Sequence, residues 1–522
     1  MTGLAWRQVR RGALLVVLLA AGVPALIATT HGRVFADPAD VAGLRAIAAD
    51  PAIRTLFGEP LALADPGGFA VWRSGTVTAV LVGVWAALTT TRTTRGQEEP
   101  GRWTALLAGP VSLRGTTARH LGVLALLSVL AGAATAAALV LAGTDPAGAA
   151  VHGAGTGLLG LFATAVAAGT SQLFTTRAAA SGAAVAVLGA GLLVRMVGDG
   201  VGELSWLRWT SPFGWVQLSR PYAGDRAGPL LLLVAVTAVL AAAALVAAGH
   251  RDVGEGLLAH RSHRPAQRGL LGSVEAFALR RCLRPVAGWS TGVGAYYLLL
   301  GLTAVSVTGF LAGNAGVADM AGRTGFTGLD RVEGFTAAVF TLLAVPVGAF
   351  AAARLAAFAA AESDRRLVLL AAAPLTRLRL LGAEVAATTA GALVLTAVAA
   401  LATWVGVAAA GGGLALTDAL RGTFNTLPVT LLCLGVAVLA AGAGLPAVTA
   451  LGCLPGAGGF LLQVLADSVD APAGVRGLSP VSHLAPVPLR GVDWTAALVM
   501  TALAVLLALA GAAVHRRRDL RC

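Results

Sequence analysis

The sequence predicts an all-α integral membrane protein, with about twelve transmembrane helices arranged as two parallel six-helix repeats. Three observations predict it. The 522 residues are 57% hydrophobic and only 12% charged, with mean hydropathy +0.80; a soluble chain of this size would expose far more charge. Apolar runs near twenty residues recur along the whole length, enough to cross a ~30 Å hydrocarbon core as helices, and lipid demands internally bonded backbone. Finally, one short phrase occurs twice. Residues 98–110 carry Glu98, Arg102, Leu106, Ala108 and Pro110, and residues 362–374 carry Glu362, Arg366, Leu370, Ala372 and Pro374, at an offset of 264.

Twelve spans are predicted near 13–31, 71–91, 121–143, 153–175, 180–198, 229–249, 287–311, 335–358, 385–410, 426–448, 449–466 and 494–514. The tenth and eleventh are separated only by Pro446, Gly452 and Pro455-Gly-Ala-Gly-Gly, so a single broken or re-entrant pair is an alternative. Arg7, Arg10 and Arg11 before the first span resemble the start of a signal peptide. With no clear small-residue cleavage site, the reading is a retained helix that acts as its own insertion signal.

Charge sets orientation. All 38 basic residues are arginine. With the N-terminus inside, inner segments hold 24 Arg and 9 acids, and outer segments 11 Arg and 16 acids. The remaining Arg73, Arg195 and Arg354 fall within or at the edge of spans. This asymmetry predicts a multi-pass cell-membrane protein with both termini cytoplasmic. It also accounts for the net charge of +13, which faces anionic lipid and partner proteins. The basic residues are spread over loops, which argues against nucleic acid.

The repeat has further landmarks. Trp6, Arg10 and Arg11 precede the first span, as Phe277, Arg280 and Arg281 precede the seventh. Each stretch is a short amphipathic segment suited to the interface plane. Thr210-Ser211-Pro212 and Leu478-Ser479-Pro480 precede the last span of each half. The predicted organisation is a first six-helix half (1–249), a basic Gly/Pro-containing linker (250–273) and a second six-helix half (274–522). Trp206, Trp209, Phe213, Trp215 and Tyr222 are expected to form an aromatic belt at the outer interface.

Enzymatic motifs are missing. There is no phosphate-binding loop, and no lysine to build one. There is no His-Glu-x-x-His or Gly-x-Ser-x-Gly motif. The four cysteines form no Cys-x-x-Cys pair or His-bearing cluster, so neither a metal nor a disulfide framework is expected. Carboxylates are scarce in the spans, with Glu384 and Asp467 near span ends, which argues against an ion-coupled mechanism. A transport permease whose energy enters through a partner fits better than an enzyme. Small residues dominate the spans and allow close helix packing.

Glu98 and Arg102, like Glu362 and Arg366, have the four-residue spacing that pairs side chains on one helix face, worth only ~0.3–0.5 kcal/mol when exposed. Leu106 and Leu370 supply an apolar side, and Pro110 and Pro374 an end. The expectation is a short helix across the cytoplasmic mouth in each half, on which a partner docks.

At Glu98-Glu99-Pro-Gly-Arg102, Leu106-Leu-Ala-Gly-Pro110, Ser211-Pro-Phe-Gly-Trp215 and Arg220-Pro-Tyr222 the chain resembles the double-length permeases of polyketide-antibiotic exporters, which are ATP-binding-cassette (ABC) exporters of the type-two kind. The resemblance covers essentially the whole chain in layout and implies several things. Loops 92–119 and 362–384 would contain coupling helices, and residues 2–11 and 274–285 would be elbow helices. A separately encoded ATP-binding subunit, in two copies, would dock on the halves and carry Mg-ATP, leaving no cofactor in this chain. The cargo would be a hydrophobic antibiotic- or drug-like molecule exported by alternating access. Two departures, Glu99-Pro-Gly to Ser363-Asp-Arg and Phe213-Gly-Trp to Val481-Ser-His, make the two contacts unequal. The alternatives are a proton-coupled multidrug efflux transporter, an ABC permease for lipid or peptide, and an integral-membrane enzyme. The major-facilitator loop signature and a polar catalytic cluster are both absent.

Overall fold

The computed structural model describes residues 2–34, 42, 44–45, 48, 50–258, 269–313, 331–364, 375–445, 447–468 and 471–517. Among them, twelve helices are long and apolar enough to cross a membrane, and no strand occurs. The chain divides into two compact units, Met1–His263 and Arg264–Cys522, which are described separately.

In the first unit, α1 (Thr2–Val34) is followed by a short α2 (Pro51–Phe57) and α3 (Pro66–Thr93). Two small helices, α4 (Arg95–Glu98) and α5 (Arg102–Leu107), lead into α6 (Leu113–Leu141), α7 (Pro146–Leu173) and α8 (Arg177–Gly200). A 3-10 segment (Gly202–Thr210) and α9 (Pro212–Leu218) precede α10 (Gly228–Gly249). Helix starts follow capping chemistry: Asp65, Ser112, Asp145, Thr176 and Ser211 each accept a first-turn backbone N–H.

The second unit comprises α11 (Val274–Ala312), α12 (Val332–Thr341) with α13 (Ala344–Ser363), and α14 (Arg377–Ala409). Next come α15 (Leu416–Phe424) with α16 (Leu427–Gly442), then α17 (Val448–Cys453), a π turn (Leu454–Gly458) and α18 (Gly459–Ser468). A short α19 (Ala473–Arg476), a 3-10 turn (Pro480–His483) and α20 (Trp494–Arg517) complete it. The tenth and eleventh spans are therefore separate helices rather than one broken pair, and the Pro455-Gly stretch forms a π turn inside the eleventh. Pro446 lies outside the described residues.

Both units pair their spans in the same way: first with third, second with fourth and fifth, fourth with sixth. The Ser-Pro turns share one serine-to-carbonyl bond. Ser211 donates to the Gly191 carbonyl at 2.6 Å, and Ser479 to the Gly459 carbonyl at 2.8 Å, each twenty residues upstream. In both units the proline ring then lies against that glycine, where a β-carbon would stand 3.2 and 3.0 Å from the ring Cδ. The helices pack on small residues. A β-carbon at Gly132 of α6 would strike the Gly153 carbonyl of α7, and one at Gly301 of α11 would strike the Thr403 carbonyl of α14.

The two elbow segments are not separate helices. Trp6, Arg10 and Arg11 belong to the continuous α1, and Phe277, Arg280 and Arg281 to the 39-residue α11. At 1.5 Å per residue α11 is ~58 Å long, well beyond a ~30 Å core. These first turns are packed against neighbouring spans. Val9 and Ala13 bury against Leu124 and Leu127, and the Cys282 thiol donates to the Ala387 carbonyl at 3.4 Å.

The aromatic belt also divides. Trp206 and Trp209 are exposed, but Phe213 and Trp215 are buried in the core with Leu159 and Leu188. The Trp215 indole donates to the Trp209 carbonyl, and Tyr222 packs over Gly67 and Gly148.

Candidate functional site

The repeated phrase opens at the end of α3. Here α3 kinks at Thr94, α4 makes one turn, and Gly101 turns left-handed (φ 74°) before α5 starts at Arg102. A residue with positive φ cannot continue an α-helix, so Glu98 and Arg102 are on different helices. The expected four-residue pair is thereby corrected.

Glu98 is instead buried, 3% exposed. Its carboxylate accepts two hydrogen bonds from the Arg251 guanidinium, at 2.6 and 2.7 Å, and one from the Gly254 N–H at 2.8 Å. Arg95 completes the clamp at 3.3 Å. Arg95 also donates to the carbonyls of Ser171 and Glu255, and Arg251 to the Gln172 side chain. Leu257 and Leu258 N–H groups bond the carbonyls of Gln172 and Leu173, so the chain leaving α10 runs back across the end of α7. Glu99 accepts from the Arg177 N–H, the first of α8, at 2.9 Å, as an acid at a helix N-terminus should.

Helix α5 stands on this base. Trp103 is buried and its ring centroid lies 5.5 Å from that of His120 in α6. Arg102, Thr104 and Pro110 are exposed, and Leu106 and Leu107 half-buried. The connection thus ties the second, third, fourth, fifth and sixth spans to one exposed helix.

In the second unit the phrase takes another form. α13 runs without a break to Ser363, so Glu362 is in its last turn and half-exposed. Arg366, Leu370 and Pro374 lie outside the described residues. The buried acid is Glu384 of α14, 1% exposed, paired with Arg354 and, at 3.7 Å, Arg281. The elbow Arg281 is thus a clamp residue, while Phe277 lies beneath its guanidinium at 5.9 Å and Arg280 donates to the Gly269 carbonyl. Glu275 and Arg379 pair on the surface at 2.8 Å.

A third polar cluster occupies the opposite end of the first unit. Asp199 pairs with Arg195 at 3.1 Å, and Arg208 pairs with Glu59 at 3.0 Å. Arg195 also donates to Thr76 and to the carbonyls of Thr55 and Leu56. Nearby, burial pushes the Tyr222 phenol up to about 12, against the opposing pull of its hydrogen bond with Thr144.

Sequence reasoning missed Arg251 as the main partner of Glu98, because 153 residues separate the two. The Arg354–Glu384 pair left a signal: an arginine inside an apolar run requires an acceptor. Among the described residues, no group of His, Cys, Asp or Glu is arranged to hold a metal.

Twelve membrane-length helices in two similarly paired six-span units, with charges neutralised at span ends, define a polytopic membrane protein of duplicated design. The chain belongs to the family described as "Multidrug efflux system permease Rv1217c, C-terminal domain", whose model matches residues 1–248 and 271–516. A relative, the "Multidrug efflux system permease protein Rv1217c" of Mycobacterium tuberculosis (strain ATCC 25618 / H37Rv), is 32% identical over 517 residues. That match covers 97% of this chain and 92% of the relative.

Proposed function

We propose that the chain is the membrane-spanning subunit of an ATP-driven ABC exporter that moves hydrophobic, drug-like compounds out of the cell by alternating access. ATP is hydrolysed on a separate cytoplasmic subunit, present in two copies. Both termini face the cytoplasm of a cell-membrane protein with halves 1–249 and 274–522 and linker 250–273. The family supports efflux. The observation that carries the ATP-driven mechanism is α5: a short, exposed helix with one buried anchor, Trp103, on a charge clamp that binds several spans. A load on α5 is passed to those spans together. A partner can drive the change only if it binds the two states with different affinity.

The proton-coupled alternative needs a carboxylate free to titrate. Asp199 and Glu384 each have an arginine partner, so neither stands as an isolated carboxylate in a span. A lipid or peptide cargo would use the same machinery.

The test is to purify the chain with the phosphate-loop ATPase that co-isolates with it, then reconstitute both. Leu106→Glu alters the half-exposed face of α5 without touching the clamp. It should abolish permease-dependent ATPase stimulation and drug efflux while leaving thermal stability within a few degrees of wild type. Unchanged stimulation, or no co-isolating ATPase, would sink the proposal.

A further inference from the structure

The two units differ where the chain before the sixth span meets the start of the fourth. In the first unit this junction is closed. The Tyr222 ring lies so near Gly148, the third residue of α7, that a β-carbon there would overlap it. The Tyr222 hydroxyl bonds that of Thr144 at 2.8 Å, and the Tyr222 N–H donates to the Asp225 carboxylate at 3.0 Å. Arg220, in the same stretch, lies 3.6 Å from the Glu59 carboxylate.

The second unit keeps the layout and changes the residues. The third residue of α15 is Asp418 where α7 has Gly148, and Leu414 takes the place of Thr144. Counted from the serine of the Ser-Pro turn, the place of Tyr222 falls to Arg490. Here a cleft of about 760 Å³ opens, in the size range of small-ligand sites. The charged groups on its wall are Asp418, Arg421 and Arg490. Both arginines are exposed, and among the described residues their guanidinium groups form no ion pair or hydrogen bond. The nearby polar groups are engaged: Asn425 donates to the Ala485 carbonyl, and Asp493 accepts from the Ala496 N–H at the start of α20. An apolar wall continues from this charged mouth. Trp494, Leu498 and Thr501 line the cleft at helical spacing along one face of α20, a length of ~10 Å, together with Leu427 and Leu431 of α16. Trp494 and Leu498 are exposed, so on a membrane-spanning helix this wall borders lipid. A tryptophan at a span end marks the headgroup level.

We propose that this cleft binds an anionic phospholipid, with Arg421 and Arg490 holding the phosphodiester and an acyl chain lying along Trp494, Leu498 and Leu431. Guanidinium groups match phosphate oxygens in both charge and geometry. Two arginines against one carboxylate leave the cleft positive, which favours an anionic headgroup over a zwitterionic one. The lipid takes in the second unit the place that Tyr222 takes in the first, between the start of the fourth span and the chain leading into the sixth. The site belongs to one half, because Tyr222 closes the matching junction. Only its assignment to the outer leaflet rests on the proposed orientation.

The test uses the full chain, without ATP or partner, in phosphatidylcholine vesicles that contain rising fractions of chain-brominated phosphatidylglycerol or chain-brominated phosphatidylcholine. Bromine quenches nearby indoles, and the difference between the wild type and Trp494→Phe isolates the emission of Trp494. Brominated phosphatidylglycerol should reach half-maximal quenching of Trp494 at a several-fold lower fraction than brominated phosphatidylcholine. Arg421→Gln combined with Arg490→Gln, at two exposed positions, should keep the melting temperature and lose that preference. Should the double variant not fold, Asp418→Asn removes the carboxylate on the wall and should strengthen the preference. Inorganic phosphate, compared with chloride at equal ionic strength, should leave the preference in place. Equal quenching by the two lipids in the wild type, an undiminished preference in the folded double variant, or no gain in Asp418→Asn would overturn the site. Loss of the preference in phosphate alone would also overturn it, since the cleft would then hold a free anion rather than a lipid.

Discussion

Arg251 grips Glu98 through both guanidinium nitrogens, at 2.6 and 2.7 Å, joining the chain just beyond the sixth span of the first unit to the turn that follows its second. Both side chains are nearly devoid of solvent contact. Removing one partner of a buried pair typically costs ~3–5 kcal/mol, because the other charge is stranded. Glu98→Ala should therefore unfold the protein at a clearly lower temperature. Glu362→Ala, at a half-exposed helix end, should cost about 0.5 kcal/mol or less. Thermal denaturation of both variants in detergent checks the contrast; equal losses would refute this account of the two copies.

The Arg354–Glu384 pair allows a double-mutant test. Either single replacement by Leu should be strongly destabilising, while Arg354→Leu combined with Glu384→Leu should recover most of the loss, since no lone charge remains buried. Additive losses in the unfolding curves would mean that each residue has other, independent roles.

Ser211 and Ser479 make the same hydroxyl-to-carbonyl bond and cap the turn that follows. Ser211→Ala and Ser479→Ala should each cost about 1–2 kcal/mol. A clear inequality, measured as the shift in unfolding midpoint, would show that the two turns support their units differently.

Glycines should separate by what lies beside them. Gly132 is against the α7 backbone, whereas Gly122 of the same helix has nothing within 4 Å. Gly132→Ala should lower stability by more than 2 kcal/mol on the order expected for overpacking. Gly122→Ala should be neutral or gain up to about 1 kcal/mol from helix propensity. Midpoints that fall together would contradict the close crossing.

The proposed orientation is checked by labelling. Trp6→Cys and Trp209→Cys introduce thiols at two exposed sites. A membrane-impermeant maleimide added to whole cells should modify Trp209→Cys and reach Trp6→Cys only after permeabilisation. The reverse pattern would invert the topology.

The twelve spans and the doubling of the unit were legible because apolar run length and repeated local phrases are properties of contiguous sequence. The Glu98–Arg102 pair was misread because spacing reports a helix face only where a helix is unbroken, and the left-handed Gly101 breaks it. The elbow segments were misread for the opposite reason: with Val9 and Ala13 buried, α1 runs as one continuous helix through residues whose amphipathic pattern suggests a separate one.

The sequence by itself determined that this chain is a duplicated, helical membrane protein, because hydropathy and periodicity act residue by residue along the chain. Only the tertiary structure decided which charges meet. Arg251 reaches Glu98 and Arg354 reaches Glu384 because a buried charge must find an opposite one in space, whatever their separation along the chain.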